Sequence, residues 1–118
     1  MRHTLCLIAA LWGSAATAEA TTNAEGAILR ALDKTSGTTV DISMRSGQAA
    51  TLGRLKVVLN ECRYRAGNPS GDAYAAMEIS ETGRSGTVFA GWMIASAPAL
   101  NPMEHPRYDI WVMRCITS

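Results

Sequence analysis

The chain has 118 residues, of which 47% are hydrophobic, and its 11 lysines and arginines stand against 10 acids for a formal net charge of +1. A chain of this size holds one domain. With no basic run, it offers neither the phosphate-tracking face of a nucleic-acid binder nor a polybasic membrane patch.

The first four residues, "MRHT", place Arg2 and His3 ahead of an apolar run at 5–15 and the small-residue stretch "ATAEA" at 16–20. That is the order of a secretory signal peptide. Residues 1–18 are read as that peptide, with cleavage after Ala18 or after Ala20. The run is shorter than the roughly 20 apolar residues a membrane span needs. Cys6 opens the run, whereas a lipidated cysteine would follow it, so Cys6 is expected to leave with the peptide. The remainder, about 100 residues, is expected to be a single periplasmic domain at 27–116 with no transmembrane span.

Turn signals then recur at short intervals: "KTSGT" at 34–38, "RSGQ" at 45–48, "AGNPSGD" at 66–72 and "ETGRSG" at 81–86. Glycine, asparagine and proline supply the backbone angles such turns require. Runs of strand length lie between them. "AILRALD" at 27–33 suits a helix as well as a strand. "TTVDISM" at 38–44 alternates, with Val40, Ile42 and Met44 on one face. "RLKVVLNECRYR" at 54–65 sets Leu55, Val57 and Leu59 on one face and Lys56, Val58, Asn60 and Cys62 on the other. "YAAMEIS" at 74–80 aligns Ala75, Met77 and Ile79, and "TVFAGWMIAS" at 87–96 is apolar on both faces, as a central strand is. The same alternation in "RYDIWVMRC" at 107–115 points Tyr108, Ile110 and Val112 one way and Asp109, Trp111, Met113 and Cys115 the other. Residues 85–103 carry no charge, but two glycines and two prolines interrupt them, so they do not read as a span. The pattern predicts an all-β fold: a small antiparallel sandwich or barrel of about six or seven strands.

With Cys6 removed, Cys62 and Cys115 remain. An oxidising compartment permits a disulfide between them. The loop so closed, about 54 residues, corresponds to about 4 kcal/mol in the chain-entropy model. The rival reading is a redox or metal pair. No CxxC spacing occurs, and beyond the signal segment His105 is the single histidine, so no four-ligand zinc set can be assembled.

The segment "VFAGWMIASAPALNPMEHPRYDIWVMRC" at 88–115 resembles the C-terminal signature of a family of small exported bacterial proteins, domain of unknown function 2155, found mainly in alphaproteobacteria. "LDKTSGTT" at 32–39 and "LGRLKVVLNEC" at 52–62 are similar to its pattern too, so the likeness runs from about Ala27 to Ile116. The resemblance implies an exported single domain that carries both cysteines. It implies no activity.

Four constellations carry possible chemistry. Ser96, His105 and Asp109 contain the side chains of a small envelope hydrolase, but no G-x-S-x-G elbow is present. Glu104 with Asp109 is the minimum for an acid pair acting on sugars. Met103 with His105 offers soft ligands for a Cu(I) carrier. Trp92, Phe89, Tyr108 and Trp111 concentrate in the last two strands, more aromatic surface than a small core requires if both faces are apolar. No phosphate loop is present. The expectation is a non-enzymatic envelope domain with no cofactor that binds a protein partner, as accessory subunit or assembly factor. Its candidate partner surface is Glu104, His105, Trp111 and Trp92.

Overall fold

The structure is a computed structural model that describes residues 20–117; residues 1–18, read above as a signal peptide, lie outside them. Eight strands follow in order: β1 (Thr21–Asn23), β2 (Gly26–Asp33), β3 (Thr38–Arg45), β4 (Ala49–Leu52), β5 (Leu55–Arg65), β6 (Tyr74–Glu81), β7 (Thr87–Ile94) and β8 (Tyr108–Ile116). A single 3-10 turn, Pro98–Leu100, interrupts the link from β7 to β8. No helix of the described residues is long and apolar enough to cross a membrane.

The strands form two antiparallel sheets packed face to face. The larger has the order β1-β5-β6-β7, with β4 also paired to β5, and the smaller has the order β3-β2-β8. The sequence left "AILRALD" open between helix and strand. It is β2, the centre of the smaller sheet, because its Ala27, Leu29 and Ala31 alternate into the core between two hydrogen-bonded neighbours. The two short strands β1 and β4 were not among the expected runs; each extends one half of β5. Turn chemistry appears where the sequence placed it. In the β2–β3 turn, for instance, Gly37 adopts φ 75° and donates its N–H to the Asp33 carbonyl.

The core lies between the sheets. Leu55, Val57 and Leu59 of β5 and Met77 and Ile79 of β6 face Leu29 of β2 and Ile110 and Val112 of β8, and all of these are fully buried. Strict alternation fails at three places: in β7, where Phe89 stands opposite Ile79 and Thr87 opposite Ser80 so that Val88 is an extra residue, and in β5 and β8, where the failures decide the facing of the cysteines. In β5 the register passes from Leu59 opposite Met77 to Glu61 opposite Ala76, so Asn60 is an extra residue. In β8 it passes from Val112 opposite Leu29 to Arg114 opposite Ile28, so Met113 is the extra residue. A bulge shifts every later side chain to the opposite face. The sequence reading put Cys62 opposite Leu59 in facing and Cys115 with Trp111. The bulges in β5 and β8 instead turn both cysteines into the core, where they form the Cys62–Cys115 disulfide with a Cα–Cα distance of 5.7 Å. Trp111 is therefore not covered by the disulfide; it packs part-buried at the margin of the core.

Candidate functional site

The link at 95–107 connects the larger sheet to the smaller, and its end is fixed by one imidazole. His105 is the one charged or polar residue in the buried class among the described residues, and its side chain is 4% exposed. Its Nδ1 accepts the backbone N–H groups of Arg107 (3.0 Å) and Tyr108 (3.1 Å). An atom that accepts two hydrogen bonds carries no proton, so the ring proton sits on Nε2 and is donated to Glu81 Oε1 at 2.9 Å. Glu81 ends β6, and its carboxylate also meets Arg84 at 3.2 Å and Arg54 at 3.9 Å. The hydrogen bond from His105, followed by that from Arg84, holds Glu81 below the usual carboxylate range.

Further ties secure the same corner to the smaller sheet. Lys34 donates to the His105 carbonyl at 2.8 Å. Arg107 makes a bidentate pair with Asp33 at 3.0 and 3.3 Å, and its guanidinium lies 5.0 Å from the Tyr108 ring centre. That pairing keeps Asp33 strongly acidic, with Thr35 contributing a further hydrogen bond. His105 and Cys115 thus fasten opposite ends of β8, one by hydrogen bonds and one covalently.

The residues proposed for a hydrolase do not come together. The Ser96 hydroxyl donates to Asp72 Oδ2 at 2.5 Å, and its amide donates to Asp72 Oδ1 at 2.9 Å. His105 is engaged with Glu81, and Asp109 makes no hydrogen bond with either. The Cu(I) pair is not presented as a site: Met103 is a buried core residue and both ring nitrogens of His105 are engaged. Among the described residues, no three His, Cys, Asp or Glu side chains converge as metal ligands.

The expected partner surface divides. His105 is interior and presents no contact surface. Glu104 is exposed beside the β6–β7 turn, where it lines a shallow depression with Arg84 and Thr87. Trp92 is 43% exposed on β7. Arg63 lies over its ring at 5.9 Å while pairing with Glu61 at 3.1 Å. The 3-10 turn is held to the same strand by Asn101, whose Nδ2 donates to the Trp92 carbonyl at 2.9 Å. This turn carries Leu100, 72% exposed, which no pattern in the sequence singles out. On its other side, Pro98 and Pro102 line a cleft of about 330 Å³ with Met93, Asp109 and Trp111. Trp92, Leu100 and Trp111 therefore border one turn.

A family model described as "Uncharacterized protein conserved in bacteria (DUF2155)" matches residues 27–115. The chain belongs to the DUF2155 family. Its matched span of the family runs from β2 to Cys115, and so takes in both sheets, the His105 corner and the disulfide. An uncharacterised protein of Rickettsia prowazekii (strain Madrid E) is 31% identical over 88 residues, which cover 72% of this chain and 57% of that relative. The chain thus spans little more than half the length of that relative. No solved structure matches.

Proposed function

We propose that this DUF2155 protein is a non-catalytic domain of the bacterial envelope that docks a protein partner, as accessory subunit or assembly factor, through the surface around the Pro98–Leu100 turn. The observation that carries the reading is that Trp92 on β7 and Leu100 on the turn that Asn101 pins to the Trp92 carbonyl are both exposed. Exposed aromatic and aliphatic side chains that are rigidly presented, with an arginine over the tryptophan, have the composition of an interface centre. A periplasmic location agrees with the buried disulfide, which an oxidising compartment favours. It agrees also with the signal-like first 18 residues.

The test is crosslinking in cells followed by pull-down from periplasm and membranes, with mass identification of the retained proteins. The wild-type chain is compared with Trp92→Ala and Leu100→Asp, both at positions whose side chains are outside the core. A discrete partner retained by the wild type and lost from both variants is the expected result. Recovery of the chain alone, or a partner indifferent to both substitutions, would overturn the proposal.

A further inference from the structure

The molecule places an arginine between an aromatic ring and a carboxylate twice. Arg107 lies over Tyr108 and pairs with Asp33. Arg63 lies over Trp92 and pairs with Glu61. A planar guanidinium serves both contacts at once, stacking on a ring while its N–H fork meets the acid.

A third aromatic and carboxylate share a face without an arginine, here on one strand rather than across strands. Asp109 and Trp111 are two residues apart on β8, so they project from the same face of the strand. Both line the cleft beside Pro98 and Pro102. The residue opposite Trp111 on β2 is Arg30, but its guanidinium is committed to Asp41 in a bidentate pair at 2.7 and 3.0 Å. Among the described residues, Asp109 alone of the four aspartates has a side chain with no hydrogen bond or ion pair, its backbone being paired with Leu32. Asp33, Asp41 and Asp72 are all engaged.

The strand next to this pair is also open. β8 has β2 as its single neighbour in the smaller sheet, so its other edge bears unpaired backbone groups. Edge strands are ordinarily blunted by charged side chains, proline, a bulge or a covering loop. From Tyr108 to Val112, β8 has no lysine, proline or bulge; its one charge is Asp109, and Pro98 and Pro102 of the link line the same cleft. The edge of β7 differs: the carbonyls of Trp92 and Ile94 are already taken by Asn101 and Ala97.

We propose that Asp109 and Trp111 form a receptor for an arginine side chain on an extended segment of a partner protein, laid along the free edge of β8. The segment's backbone pairs with the edge, and its guanidinium enters the cleft to stack on Trp111 and bridge to Asp109. A strand-addition mode of this kind takes affinity from main-chain hydrogen bonds and specificity from the side-chain pocket. The proposal rests on the reading of the protein as a partner-binding domain and names the chemistry of one contact.

The probe is an end-capped Val-Arg-Val tripeptide, titrated into the 15N-labelled protein up to about 10 mM, an affinity range suited to a single anchor. Val-citrulline-Val serves as the uncharged isostere and Val-Lys-Val as the point charge. Saturable shifts of the Trp111 indole N–H and of the Ile110 and Val112 amides are expected with the arginine peptide. Affinity should drop about tenfold or more with citrulline, with Asp109→Asn, or with Trp111→Leu, as loss of a charge-assisted bond implies. Asp109→Asn removes no intramolecular bond and leaves the fold intact. No saturable shift, or shifts that Asp109→Asn leaves unchanged, would overturn the receptor. Lysine binding as tightly as arginine would do so as well. The two readings fail separately. A partner lost with Trp92→Ala but kept by Asp109→Asn, with a blank titration, removes the receptor alone. A saturable titration beside a pull-down of only the chain itself removes the docking reading alone.

Discussion

His105→Ala removes a nearly inaccessible ring and three hydrogen bonds together. Two of those bonds end on the amides of Arg107 and Tyr108, which then face a void without an acceptor. A buried donor left unsatisfied costs about 1–3 kcal/mol. Water can reach the Arg107 amide, which is part-buried, more easily than that of Tyr108, which is buried. The expected total loss is about 3 kcal/mol, a large share of the roughly 5–15 kcal/mol available to a domain. His105→Asn divides the effect. Its side-chain oxygen takes the place of Nδ1 and can accept both amides, but it cannot extend to Glu81. About half of the loss should return. Urea unfolding followed by tryptophan fluorescence measures both, as shifts in midpoint at constant slope. An asparagine variant as unstable as the alanine variant, or an alanine variant within about 1 kcal/mol of wild type, would refute the assignment of the imidazole as the fixing point of this corner.

The acid side of the same corner gives a pH dependence. Glu81 is lowered from its ordinary 4.5, first by His105 and then by Arg84, so its contribution is complete above that value and is lost as pH falls through the lowered one. The urea midpoint should therefore fall on acidification below about pH 4.5, and Glu81→Gln should flatten that fall; an unchanged profile in the variant would exclude Glu81 as a source. Removing both cysteines (Cys62→Ala with Cys115→Ala) should cost about 4 kcal/mol in denaturant unfolding, and non-reducing peptide mapping of the wild type should find the two linked. Free thiols in oxidised material would contradict the fold. Gly26→Ala places a Cβ 2.0 Å from the Met44 carbonyl oxygen, a backbone atom that cannot step aside. It should lower stability by about 1–3 kcal/mol, whereas Gly47→Ala, with open space but φ 87°, tests backbone conformation alone. Equal tolerance of both would mean that β2 and β3 do not approach as closely as described.

Much of the architecture is legible in the residues. The alternation in 55–59 and 74–80 reports the buried faces, whereas in 38–44 only Met44 of the expected face is buried and Val40 is exposed; the glycine-bearing turns separate strands where they were expected. With Cys6 read as part of a signal peptide, Cys62 and Cys115 were the two cysteines left to pair, and they do. What alternation could not report is where it stops. Nothing in "LNEC" marks Asn60 as supernumerary, nor does "VMRC" mark Met113, because a bulge is set by the twist and pairing of neighbouring strands. Parity counting therefore put both cysteines on the outer faces and placed Trp111 beside one of them. The candidate site was legible only in part. Trp92 is exposed as an interface reading requires. His105 is buried, and nothing in the sequence marks its partner Glu81, which ends β6 24 positions away. Leu100 gave no signal because a single leucine after an alanine reads as core.

The place of β2 has a consequence for the order in which the chain can take shape. β2 is the first long strand, and one of its two neighbours is β8, the last, so that Gly26 sits opposite Ile116. Until that final segment is present, the smaller sheet is only the β2–β3 hairpin, and an isolated hairpin is marginal in water. The larger sheet meanwhile has nothing to cover its inner face. A chain still emerging from a ribosome or threading through a pore would therefore hold no finished core at any intermediate length. It would remain pliable until β8 was free, and then close onto β2, slowly for its size, as pairings this distant along the chain require. Loss of only a few residues from the end of β8 would leave the beginning of the domain without a place to rest.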